Sequence, residues 1–123
     1  MSEFNFKSQL YTTIEQSQRL IALGLKVETA DCCHWFCISC VDEPIEGENI
    51  PAWSLHRLLL LLPKEIRIER NFYTIAVVND SIQIVDDCGD IYRRFMSMNV
   101  YGELIDCIEW LIKEGYFNKE YLV

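Results

Sequence analysis

The densest chemistry in this 123-residue chain lies at Cys33, His34, Cys37 and Cys40, with Cys32 alongside. Thiolates and imidazole are the ligands that tetrahedral zinc takes, and Cys37-x-x-Cys40 has the spacing of half a zinc knuckle. The other half is missing, because Cys88 and Cys107 stand alone and no second C-x-x-C exists. Residues 33–41 are mostly β-branched, aromatic or cysteine, which predicts a strand buried on both faces. On a strand Cys37 and Cys40 fall on opposite faces and cannot share a metal ion. A thiol redox role would need the pair at a helix N-terminus, where the helix dipole lowers a thiol pKa. The segment therefore reads as buried free cysteines acting as small hydrophobes. The alternative is a zinc-binding protein or metal-dependent enzyme built on 33–40.

Other candidates are weaker. Asp86, Asp87 and Asp90 could offer oxygens to magnesium, but with Gly89 among them they also make a polar hairpin turn. His34 and His56 fall on different elements and neither adjoins a nucleophile signature; Ser54 is explained as a helix cap. There is no glycine-rich phosphate loop, H-E-x-x-H or EF-hand spacing. No catalytic residue and no cofactor is assigned, and the reading leans away from an enzyme. Contact chemistry is left: Trp53, Tyr116, Phe117 and Tyr121 could anchor a protein partner, although packing into the core is the competing use of each.

Charge narrows the partners. Nineteen acids against eleven bases give a net charge of −8, with Asp42, Glu43, Glu46 and Glu48 clustered and no base among them. Phosphate backbones are bound by clustered lysine and arginine, so direct nucleic-acid binding is disfavoured. A DNA mimic would need a continuous acidic ridge. Here the acids sit in two short loops and, as Glu103, Asp106, Glu109 and Glu114, sparsely on the last helix. The charge is expected to serve solubility. The longest leucine run, 58–62, is far short of the roughly 20 apolar residues that cross a bilayer. The stretch 1–7 lacks the basic start and apolar core of a secretory signal, so a cytoplasmic location is expected.

The positioning elements follow from caps and periodicity. Residues 1–11 show no sustained pattern and read as an arm. Thr12 or Thr13 with Glu15 or Gln16 makes a capping box, and Gly24 ends the helix, placing it at about 13–23. A solvated loop is expected over 42–49, where Pro44 and Gly47 lie among acids. Ser54 caps a leucine-rich helix that Pro63 terminates. Beyond it the period becomes two, through Ile66, Ile68, 73–78, Ile82, Ile84 and Ile91, with turns at 79–81 and 86–90: an antiparallel meander of three or four strands. Asn99 caps a final amphipathic helix that stops at Gly115. The expectation is one α+β domain over 1–123, with about three helices and the C-terminal one packed on the sheet.

Thr12-Thr13-Ile14-Glu15-Gln16-Ser17 through Leu23-Gly24-Leu25 and Thr29-Ala30-Asp31, then Ile50-Pro51-Ala52-Trp53-Ser54-Leu55 and Ile108-Glu109-Trp110-Leu111, resemble a group of small proteins encoded in gut Bacteroidetes genomes, often in prophage or mobile-element regions. The resemblance runs through most of the chain in the same order. It implies a context and carries over no site residue. With the missing catalytic motifs, it leads to the expectation of a non-enzymatic accessory protein of a phage or mobile element, acting by contact with an unidentified protein partner or as a homo-oligomer.

Overall fold

A computed structural model describes residues 8–34, 50–79, 81–97 and 99–123. The first helix, α1 (Ile14–Ala22), starts where the capping box predicts: Thr13 Oγ1 accepts the Gln16 N–H, and Gln16 Oε1 accepts the Thr13 N–H. Gly24 then takes the left-handed conformation at φ 99°, and the Leu25 N–H returns to the Leu20 carbonyl to close the helix end. On this helix Leu20 is fully buried while Ile21 is turned out to solvent.

Two short strands follow, β1 (Cys32–His34) and β2 (Ile50–Ala52), which pair antiparallel with Cys33 opposite Pro51. The second strand is not anticipated by the sequence. Cys33 is exposed, which corrects the expectation of burial on both faces at this end of the strand. The reason is that β1 pairs with β2 in a separate two-stranded ladder instead of entering the main sheet. Cys37, Cys40 and the acidic loop 42–49 lie outside the described residues.

Ser54 caps α2 (Leu55–Leu61) by accepting the Arg57 N–H. The meander is present as four antiparallel strands in chain order, β3 (Ile66–Ile68), β4 (Asn71–Val78), β5 (Ser81–Val85) and β6 (Ile91–Phe95). Asn79 adopts φ 48° in the β4–β5 turn. In the next turn Asp86 Oδ1 accepts both the Cys88 and Asp90 N–H groups, so this aspartate holds the hairpin together.

The last helix, α3 (Val100–Glu114), is capped by Asn99 and ended by Gly115 at φ 80°. It packs on β5 and β6, and the core lies between: Leu104, Ile105, Ile108 and Leu111 meet Ile82, Ile84 and Phe95, with Leu20, Leu58 and Trp53 closing the side. A Cβ on Gly102 would meet the hydroxyl of exposed Ser97 in the β6–α3 connection, so a larger residue there would have to turn that side chain aside. The chain end folds back. Leu25 and Leu122 form an antiparallel bridge, and the Val123 N–H bonds to the Gly24 carbonyl.

Candidate functional site

Thr12 organises the region around the cysteine segment. Its N–H donates to the Trp53 carbonyl at 2.9 Å, its Oγ1 accepts the Trp53 N–H at 3.1 Å, and Oγ1 shares a hydrogen bond with Ser17 Oγ at 2.7 Å. His34 Nε2 donates to the Thr12 carbonyl, and the ring stacks edge-on against Tyr11 at 4.7 Å. That ring nitrogen is committed to the backbone. The arm is tied down as well from Gln9 onward, because Gln9 Nε2 donates to Gln16 Oε1 and to the Tyr11 carbonyl.

Next to this hub Asp31 accepts the Ser54 N–H at 2.9 Å and the Ser54 hydroxyl. Burial pushes the Asp31 carboxyl up, but the two bonds from Ser54, its own N–H and the Cys32 thiol together hold it below its ordinary range. The Cys32 thiol is pushed up, by burial first and then by the Asp31 charge, so it is held as a thiol and is a poor nucleophile. Cys33 points to solvent on the other side. Among the described residues no three His, Cys, Asp or Glu side chains converge on a point where a metal ion could sit. Hydrogen bonds of the Asp31, Ser54 and His34 cluster are spent on positioning β1, β2 and the start of α2.

The contact candidates divide. Trp53 is fully buried and its Nε1 donates to Thr29 Oγ1 at 2.9 Å, so it presents no surface. Phe117 is buried in the core, with Tyr121 half-buried against it at 6.0 Å between ring centroids. Tyr116 leads elsewhere. Its ring lies 5.6 Å from Trp110, which lies 6.4 Å from Tyr92, which lies 5.0 Å from Tyr73. Phe95 packs edge-on to Trp110 at 6.1 Å.

This aromatic row runs from the end of α3 past β6 to Tyr73 on β4, and Arg93 covers its part at the α3–β6 seam: its guanidinium lies 5.2 Å from the Phe95 ring centroid and 5.6 Å from that of Trp110. Tyr92 is 51% exposed and Ile91 47%. β6 is the last strand of the sheet, so its outer backbone N–H and C=O groups have no strand partner among the described residues. A groove of about 390 Å³ lies between the strand and the helix, lined by Arg93, Trp110 and Lys113 among others.

The electrostatics of the seam are set by what α3 does with its acids. Arg19 on α1 reaches Asp106 at 2.7 Å and also contacts Glu109, while Lys113 reaches Glu109 at 3.0 Å. Arg19 holds the Glu109 carboxyl below its ordinary range, with Lys113 next in effect. Those acids are satisfied. Arg93 and Arg94 have no carboxylate within 4.0 Å among the described residues, so this edge is basic in a chain that is acidic overall.

Of this row only Tyr116 is marked out by the sequence; Tyr92, Arg93 and Trp110 become a unit in the fold. The available signal was the composition of Ile91-Tyr92-Arg93-Arg94-Phe95 as the last strand of a meander, which must be an edge. Comparison with known proteins adds no family: the chain matches no protein-family model, no curated protein and no solved structure.

Proposed function

We propose that this is a non-enzymatic accessory protein, in the phage or mobile-element setting that its resemblance implies, and that it works by protein–protein contact along the outer edge of β6. The partner segment is extended and acidic, added as a further strand. The observation that carries the reading is the coincidence of an open strand edge, a half-exposed row of aromatic rings and arginines lacking carboxylate partners among the described residues. Tyrosine, tryptophan and arginine are the residues that dominate interface energetics, and an open edge supplies main-chain hydrogen bonds to any incoming strand. An acidic segment also satisfies Arg93, whereas a basic one would meet Arg93 and Arg94.

Affinity capture from the native host compares wild type with Tyr92→Ser and Arg93→Glu, both on the exposed edge. A single protein recovered by wild type and reduced at least about tenfold by each variant, roughly 1.4 kcal/mol of binding free energy, supports the contact. Equal recovery by all three, or no specific protein with wild type, refutes it.

A further inference from the structure

At the other side of β6, a cleft of about 850 Å³ opens where the β4–β5 turn, the β6–α3 connection and the first turns of α2 and α3 come together. Its size is that of a small-molecule site. Two of its lining side chains are polar and more than nine-tenths buried: Glu103 is 4% exposed and Gln83 9%. Glu103 is among the acids that the sequence places on the helix surface, and its position one turn into α3 turns it inward instead. Neither Glu103 nor Gln83 makes a side-chain hydrogen bond or ion pair to another described residue. Yet neither is sealed, since Arg57 Nε is the one fully enclosed side-chain polar atom without a partner among the described residues. Their polar ends therefore open into the cleft they line.

A carboxylate this deeply placed costs free energy unless something donates to it. The helix field at the α3 N-terminus favours the negative charge, and of the first-turn N–H groups Gly102 is taken by Asn99 Oδ1 and Glu103 by the Asn99 carbonyl. Arg94 lines the same cleft, directly across the β5–β6 ladder from Gln83, and has no carboxylate within 4.0 Å among the described residues. The cleft thus has Glu103 on its helix wall and the cross-strand pair Gln83 and Arg94 on its sheet wall.

We infer that this cleft is a binding site for a small zwitterion of the amino-acid class, its ammonium received by Glu103, its carboxylate by Arg94 and a further polar contact made by Gln83. The Glu103 carboxylate accepts hydrogen bonds from an ammonium, which has three N–H donors, and Arg94 offers its guanidinium fork to a carboxylate. Arg94 borders both this cleft and the β6 seam, whereas Glu103 and Gln83 line the cleft alone and Arg93 the seam groove alone, so Glu103→Gln and Arg93→Glu separate the two sites.

The test is a titration of the ¹⁵N-labelled full chain with the twenty free amino acids singly, followed by NMR, with butylamine and butyrate as singly charged controls. At least one amino acid is expected to shift the Gln83 side-chain amide and the first-turn N–H signals of α3 saturably below about 1 mM, with each control at least tenfold weaker. Glu103→Gln and Arg94→Ala should each weaken that binding at least tenfold; Arg94 is exposed, so its variant tests the site even if Glu103→Gln fails to fold. No saturable shift from any amino acid overturns the site. So does butylamine binding as tightly as the zwitterion, or binding that survives Arg94→Ala unchanged.

Discussion

Replacing Thr12 by Val keeps the shape of a fully buried side chain and removes one hydroxyl. Two hydrogen bonds go with it, the 3.1 Å bond from the Trp53 N–H and the 2.7 Å bond shared with Ser17. Ser17 has an alternative, because a helical serine can donate to the carbonyl four residues back, here that of Thr13. The Trp53 N–H is left buried without an acceptor, which costs about 1–3 kcal/mol. The partial loss at Ser17 adds to this and the gain from burying a methyl subtracts, so the expected destabilisation is about 2–3 kcal/mol. For a chain of this size that corresponds to roughly 6–15 °C in Tm. Urea unfolding followed by far-UV circular dichroism and tryptophan fluorescence measures it. Thr12→Ser keeps the hydroxyl and should cost only about 1 kcal/mol, the price of one methyl and its small void. Thr12→Val within about 0.5 kcal/mol of wild type, or Thr12→Ser more damaging than Thr12→Val, would refute the hub role, since each outcome makes the hydroxyl dispensable.

Two further outcomes are expected. Because the folded Asp31 carboxyl lies below its ordinary value of 3.8, the stability it contributes is present above that pH and is lost as pH falls through the folded pKa. Asp31→Asn should flatten the acid limb of the stability curve below about pH 4; Glu109→Gln should flatten it as well, through the loss of its pairs with Arg19 and Lys113. Identical acid limbs for Asp31→Asn and wild type would show that Ser54 and Cys32 do not stabilise the charged form. Cys107 is fully buried and its thiol is pushed up to about 12 by burial, so at pH 8 iodoacetamide should modify Cys33 and Cys88 while Cys107 reacts only on unfolding. Peptide mapping that finds native-state labelling of Cys107 at the rate of Cys88 would contradict that packing.

What could be read from the chain alone was what local physics decides. Caps and stops act within one helical turn, so Thr13 with Gln16, Ser54, Asn99, Gly24, Pro63 and Gly115 mark the ends of the three α-helices among the described residues to within a residue or two. The period of two beyond Pro63 and the Asn and Asp turns mark the meander for the same reason, since a hairpin pairs neighbours in sequence. The antiparallel α+β architecture with α3 on the sheet follows from these elements. Tertiary packing decided the rest. The three-residue β2 exists only because β1 pairs with it across the intervening segment, and Pro51 argues locally against a strand. Trp53 and Trp110 are the same residue type, yet one is sealed under Thr12 and Thr29 while the other lies half-buried at the β6 seam, a difference set by which elements cover them. Glu103 reads as a surface acid on a helix. Its burial is set where the first turns of α3 meet the β4–β5 turn and β6, residues brought together by the fold and invisible to any window along the chain.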